Sequence, residues 1–144
     1  MSTVKIVYWS GTGNTEAMAQ AVANGAKNAG ADAELIPVGS ASVADLASAK
    51  AFALGCPSMG AEQLEEGEME PFMADLEGSL GGKNVGLFGS YGWGNQEWMR
   101  DWEERCKGAG ATVVNDEGIA FLGAPDDATI SDLEALGAAL AGLA

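Results

Sequence analysis

Histidine is absent from the 144 residues, and cysteine occurs only twice, at Cys56 and Cys106, without Cys-x-x-Cys spacing. Zinc and iron–sulfur sites draw on histidine and closely spaced cysteine, so neither is expected, and both thiols read as small buried side chains. Positive charge is scarce too: seven Lys and Arg stand against twenty-one Asp and Glu, for a formal charge of -14. Such a surface argues against nucleic acid and anionic membrane, and it calls for a basic protein partner. No apolar run approaches the length of a membrane-spanning helix, and no charged N-terminal region leads into a signal core, so the expected compartment is the cytoplasm. Repeats, low-complexity linkers and shifts of composition are also missing. Residues 1–144 therefore read as one domain able to bury its own core, with nothing to suggest more than a monomer.

What the chain has is alternation. Short runs apolar on both faces predict parallel strands at Val4–Trp9, Ala33–Val38, Ala51–Cys56, Asn84–Gly89 and Ala111–Val114, the last resuming at Gly118–Leu122. Between them, helical spacing predicts helices at Asn14–Asn28, Val43–Ala49, Glu68–Leu80, Gln96–Lys107 and Ser131–Leu143. The stripe Trp98, Trp102, Cys106 is assigned to packing, and Gly30 and Gly110 to left-handed helix ends. Right-handed crossovers make these elements an α/β fold with a doubly wound, five-stranded parallel sheet, whose ligands belong outside the carboxyl ends of the strands.

Strand one ends at Ser10-Gly11-Thr12-Gly13-Asn14-Thr15. Two glycines let the backbone turn sharply, three hydroxyls and an amide add donors, and the next helix presents its positive end, so the segment suits a phosphate. It holds no lysine or arginine, which suits an anchored monoester better than a phosphate in transfer. A Walker A loop would need lysine and a hydroxyl where Asn14-Thr15 stand, and a dinucleotide fingerprint would need a small residue in place of Glu16. Taken alone, the six residues could also be a glycine-rich turn that binds nothing.

Two further loops share that sheet edge. After strand three come Pro57, Ser58, Met59, Gly60, Ala61 and Glu62, and after strand four Ser90, Tyr91, Gly92, Trp93 and Gly94. Aromatic side chains between glycines suit stacking on a planar ring, although a loop tryptophan can also fold back onto the core. Met59 offers a polarizable cover for the opposite ring face. The acids Glu62, Glu65, Glu66, Glu68 and Glu70 follow at once; they suit a helix start, and near a ring that gains electrons they would oppose an anionic product.

These three ordered motifs resemble the short-chain flavodoxins of anaerobic bacteria over essentially the full length, with no insertion of some twenty residues in the last strand. Flavodoxins are the standing example of strand order 2-1-3-4-5 with FMN at the reversal, so that order is taken over from the family and not read from spacing. The resemblance implies a flavodoxin-like fold and non-covalent FMN. Ser10 to Thr15 would hold the phosphate, Trp93 and Met59 the two ring faces, and Glu62 would accept from flavin N3–H. Backbone groups of Gly92 and its neighbours would meet the pyrimidine edge, and Pro57 stands where some relatives have a serine near the phosphate. The Gly60 carbonyl would turn toward flavin N5 in the neutral semiquinone. Ala61 replaces the Gly, Asp or Asn of many relatives, and a left-handed alanine there costs roughly 1 kcal/mol. The implied function is a low-potential one-electron carrier between redox proteins, running through neutral semiquinone and anionic hydroquinone. An FMN-dependent NAD(P)H:quinone reductase is the alternative; it needs room over the ring that Trp93 and Met59 are set to fill. A phosphorylated receiver would need acids where Trp9-Ser10 and Cys56 stand.

Overall fold

In the computed structural model, which describes residues 3–11, 13–59, 63–92, 94 and 96–144, each apolar run becomes a strand of one parallel sheet. The strands are β1 (Thr3–Tyr8), β2 (Asp32–Pro37), β3 (Ala51–Gly55), β4 (Asn84–Tyr91), β5 (Thr112–Val113) and β6 (Ile119–Leu122). Their order is β2-β1-β3-β4, with β5 and β6 both beside β4. The order 2-1-3-4-5 therefore holds, and two short segments share the fifth position. The break has a local cause: Asn115 and Asp116 sit at φ 65° and 67°, in the left-handed region where a strand cannot continue. β4 is long enough to pair with β5 at Asn84 and Val85 and with β6 from Phe88 to Tyr91.

The helices are α1 (Asn14–Asn28), α2 (Val43–Ala47), α3 (Met69–Leu76), α4 (Glu97–Gly108) and α5 (Asp127–Leu143). α1 coincides with its predicted span. α5 begins four residues before the predicted Ser131, because the Asp126 carboxylate accepts the Thr129 N–H at 2.8 Å and caps an earlier first turn. Gly30 and Gly110 take φ 94° and 96°, and Ala31 and Ala111 return hydrogen bonds to Ala26 and Cys106, the usual left-handed helix stop.

Side chains of the sheet alternate between two cores. Val7, Phe52, Leu54, Val85 and Leu87 face Leu46, Phe72, Met73, Trp98 and Trp102, which come from α2, α3 and α4. Val4, Ile6, Ala51, Ala53 and Phe88 face Met18, Val22, Leu133, Leu136 and Leu140 of α1 and α5. Trp98, Trp102 and Cys106 are buried, as their helical spacing predicts. α1 and α5 meet backbone to backbone: a Cβ on Gly25 would lie 1.9 Å from the Glu134 carbonyl oxygen, and one on Gly137 2.0 Å from that of Val22.

Candidate functional site

At the carboxyl edge the backbone ladder runs slightly past the strands. Trp9 N–H donates to the Gly55 carbonyl at 3.0 Å, Cys56 N–H to Phe88 at 3.1 Å and Ser58 N–H to Ser90 at 3.0 Å. The three loops then part around a cleft of about 270 Å³ lined by Trp9, Gly11, Asn14, Pro57, Ser58, Met59, Ser90, Tyr91, Gly92 and Gly123. It lies where the strand order reverses, between β1 and β3, and its walls are mostly apolar. Trp9 and Gly123 are additions to the predicted site. Trp9 reads in sequence only as a strand end. Gly123, at φ 79°, is placed by its N–H bond of 2.9 Å to the Tyr91 carbonyl, a contact with no sequence signal.

Ser10 and Gly13 instead border a second cavity of about 410 Å³ on the β2 side, with Glu16 and Glu68 among its walls. Though larger, it is acidic and lies off the strand reversal, so the smaller cleft is the better ring site. Gly94, at φ 91°, lines neither cavity. The predicted roles of Thr12, Gly60, Ala61, Glu62 and Trp93 fall outside the described residues.

The loop before α1 is arranged for an anion. Gly13, at φ 95°, turns the chain, and Ser10 Oγ accepts the N–H groups of Gly13 at 3.1 Å and Glu16 at 3.3 Å. With both lone pairs engaged, the Ser10 hydroxyl has its proton left to donate. No acceptor among the described residues takes the N–H of Asn14 or Thr15, in the first helical turn. Thr15 differs from expectation in its side chain. Its hydroxyl is buried against Ser90 Oγ at 3.1 Å and accepts Ser90 N–H at 3.4 Å, so it ties the loop to β4 and leaves its backbone N–H for an anion.

The acids after β3 separate into kinds. Glu65 accepts three N–H groups, from Gly67 at 2.7 Å, Glu68 at 2.7 Å and Met69 at 3.0 Å, and so closes the start of α3. Burial pushes its carboxyl pKa up, but the three N–H donors outweigh burial and hold it below the ordinary value. A depressed folded pKa means stability that is present above the unfolded pKa of about 4.3 and lost as pH falls through the folded value. Glu65→Gln is thus expected to cost about 1–2 kcal/mol at pH 7. Urea unfolding should show that deficit shrinking as pH drops below about 4; an equal deficit at pH 7 and pH 3 would contradict it.

Glu70 makes a two-pronged pair with Arg105 at 2.7 and 2.6 Å, and Glu77 bonds the same guanidinium, which is held more firmly protonated chiefly by Glu70. Glu66 accepts from Gln63 Nε2 at 2.6 Å but stays exposed, as does Glu68. Met59 and Gln63 exchange two backbone hydrogen bonds of 2.9 Å, which fixes both ends of the segment between them. Burial pushes the Cys56 and Cys106 thiols up to about 12, so both are protonated and inert at neutral pH.

Positive charge sits on the other edge. Lys5 lies near the start of β1, Lys50 and Lys83 precede β3 and β4, and Lys27 and Lys107 lie in the last turns of α1 and α4. Arg100, early in α4, and Arg105, whose guanidinium reaches Glu70 in the first turn of α3, are the exceptions among the seven. The cleft edge is left acidic.

A doubly wound sheet with an anion-ready helix start and an apolar cleft at its strand reversal defines a mononucleotide-binding α/β protein. The family model for flavodoxin matches residues 6–137. The chain is 55% identical over 111 residues to the flavodoxin of Megasphaera elsdenii, covering 77% of this chain and 81% of that one. It is 47% identical over 125 residues to the flavodoxin of Clostridium beijerinckii, covering 87% and 90%. The solution structure of two-electron reduced M. elsdenii flavodoxin superposes with a TM-score of 0.87 at 50% identity, over 96% of this chain and 98% of that one. The chain belongs to the flavodoxin family, whose members are FMN-binding electron-transfer proteins and not enzymes. The residues present suit FMN: the Asn14 and Thr15 N–H groups and the Ser10 hydroxyl can meet a phosphate, and the apolar cleft can take a planar ring. The quinone reductase alternative is not favoured by this membership.

Proposed function

We propose that residues 1–144 form a single FMN-binding domain that works as a low-potential one-electron carrier in the cytoplasm. The observation that carries this reading is the placement of the cleft on an acidic edge from which five of the seven basic residues are absent. FMN, when bound, supplies a ring that takes up and releases electrons one at a time. The Ser10–Thr15 segment holds its phosphate with backbone N–H and hydroxyl donors, without a cation. Met59 covers one ring face and Trp93 the other, backbone groups of Gly92 and its neighbours meet the pyrimidine edge, and Pro57 and Ser58 line the cleft beside Met59. The Gly60 carbonyl and the Glu62 carboxylate serve as acceptors at the ring edge, with Ala61 setting the cost of turning that carbonyl. The M. elsdenii relative has a two-electron reduced form, the end state that a two-step carrier of this kind would reach.

Glu66 and Glu68, unlike Glu65 and Glu70, are free to act through charge. A carboxylate about 10 Å from the ring raises the energy of an added negative charge by roughly 0.4 to 1.7 kcal/mol, or about 20 to 70 mV for one electron. The double variant Glu66→Gln, Glu68→Gln is expected to raise the potential of the second one-electron step at low salt, with the rise shrinking as salt screens the charges. Potentiometry at two ionic strengths checks this, and no rise at low salt would confine these acids to partner docking. The same acidic edge fits donor and acceptor proteins with basic surfaces that meet the carrier as a monomer.

An anaerobic reductive titration followed by visible absorption tests the whole reading. Two separate one-electron steps support it. A protein that fails to bind added FMN, or one reduced by NADH or NADPH alone, would overturn it.

A further inference from the structure

The ladder between β3 and β4 has one diverted bond at the mouth of the cleft. Gly55 pairs with Phe88, and Cys56 N–H donates to the Phe88 carbonyl, so Cys56 is in register with Gly89. In a regular parallel ladder the Cys56 carbonyl would then accept the N–H of Ser90. Instead Ser90 N–H goes to Thr15 Oγ1 at 3.4 Å, and the Cys56 carbonyl accepts the indole Nε1–H of Trp98 at 3.1 Å. The carbonyl is tilted over Gly89, where a Cβ would lie 2.0 Å from its oxygen. Two side chains thus replace one backbone hydrogen bond, one step before the last rung, Ser58 N–H to the Ser90 carbonyl at 3.0 Å, beyond which the β3 and β4 loops part.

Trp98 holds both loops. Its N–H fixes the peptide leading into Pro57, Ser58 and Met59, and its ring packs against Tyr91 with centroids 5.7 Å apart and planes tilted by 51°. Gln96 adds a bond of 3.1 Å from Nε2 to the Tyr91 hydroxyl. Trp98 itself is 1% exposed and does not line the cleft, so it acts through these neighbours.

We infer that Trp98 is a positioning residue for FMN: its indole N–H, by capturing the Cys56 carbonyl, sets the separation of the two loops that clasp the ring. The inference rests on the cleft being the flavin site. Removing the N–H orphans a buried carbonyl and lets the Pro57–Met59 loop relax toward or away from Tyr91.

The test compares Trp98→Phe with Trp102→Phe. Trp102 is equally buried on the same helix, and its N–H meets Met73 Sδ at 3.3 Å, remote from the cleft. Both variants lose thermal stability as apoproteins. Trp98→Phe alone is expected to raise the FMN dissociation constant about tenfold, read by recovery of flavin fluorescence, and to shift the potential of at least one of the two electron steps. Should Trp98→Phe not fold, β-(3-benzothienyl)alanine at position 98 keeps the ring shape and lacks the N–H, with the same expectation. Parent-like FMN affinity and potentials in either form would overturn the inference while leaving the function intact, as would equal loss of affinity in Trp102→Phe. Failure of the parent protein to bind FMN would instead sink the functional reading.

Discussion

Valine at Gly137 is expected to cost about 3 kcal/mol or more of folding stability. The nearest atoms to an added Cβ are backbone, the Val22 carbonyl oxygen at 2.0 Å and the Ala26 nitrogen at 2.8 Å, so α1 and α5 must separate along the whole crossing. That movement opens the core formed by Met18, Val22, Leu133, Leu136 and Leu140. Overpacking usually costs 1–3 kcal/mol where side chains can give way, and here two helix backbones must. Even Gly137→Ala should destabilise, although alanine favours an isolated helix by about 1 kcal/mol. Gly25 faces the same limit against the Glu134 carbonyl, at 1.9 Å. Against a typical total of about 5–15 kcal/mol the loss is large. The midpoint of urea unfolding reads it directly, and an unchanged or higher midpoint for Gly137→Ala would refute the packing account.

Gly89→Ala is the second large effect, and it falls on the site. Its Cβ would meet the Cys56 carbonyl oxygen at 2.0 Å and Trp98 Cζ2 at 3.2 Å. Relief requires the chain after β3 to lift away from β4, which strains the Cys56 to Phe88 hydrogen bond and the Trp98 to Cys56 hydrogen bond together. We expect a stability loss of about 2–4 kcal/mol and FMN binding weakened by about a hundredfold, since both cleft walls start at this crossing. Calorimetry of the apoprotein separates the first effect from flavin titration for the second. Unaltered FMN affinity in a folded Gly89→Ala protein would show that the two loops are set independently of the ladder beneath them.

Much of this is legible locally. Apolar runs bounded by glycines become strands because their side chains suit two covered faces, and the α1 boundaries follow from the Gly13 turn before Asn14 and the glycine stop at Gly30. The split of the last strand and its return at Ile119 also follow the chain, since Asn115 and Asp116 are residue types that tolerate the left-handed region. The start of α5 could have been read from Asp126 as a cap, a short-range signal in plain view. The acids after Met59 were harder. The four described ones, Glu65, Glu66, Glu68 and Glu70, took up different duties because an N-terminal helix turn lies within reach of Glu65 and a guanidinium 35 residues away within reach of Glu70.

By itself the sequence determined the fold class, a glycine- and hydroxyl-rich loop without a cation of its own, and a glycine-flanked aromatic loop. Each is a property of neighbouring residues, and local conformational preference is enough to settle it. Tertiary structure alone decided that the Thr15 hydroxyl ties down Ser90, 75 residues away, instead of facing an anion, and that Trp98 reaches back 42 residues to a carbonyl the sheet had released. Those contacts depend on which strands adjoin and on how closely β3 and β4 approach at Gly89. Hydrogen-bond geometry across a sheet is set by distances between chain segments, and no spacing within one segment encodes it.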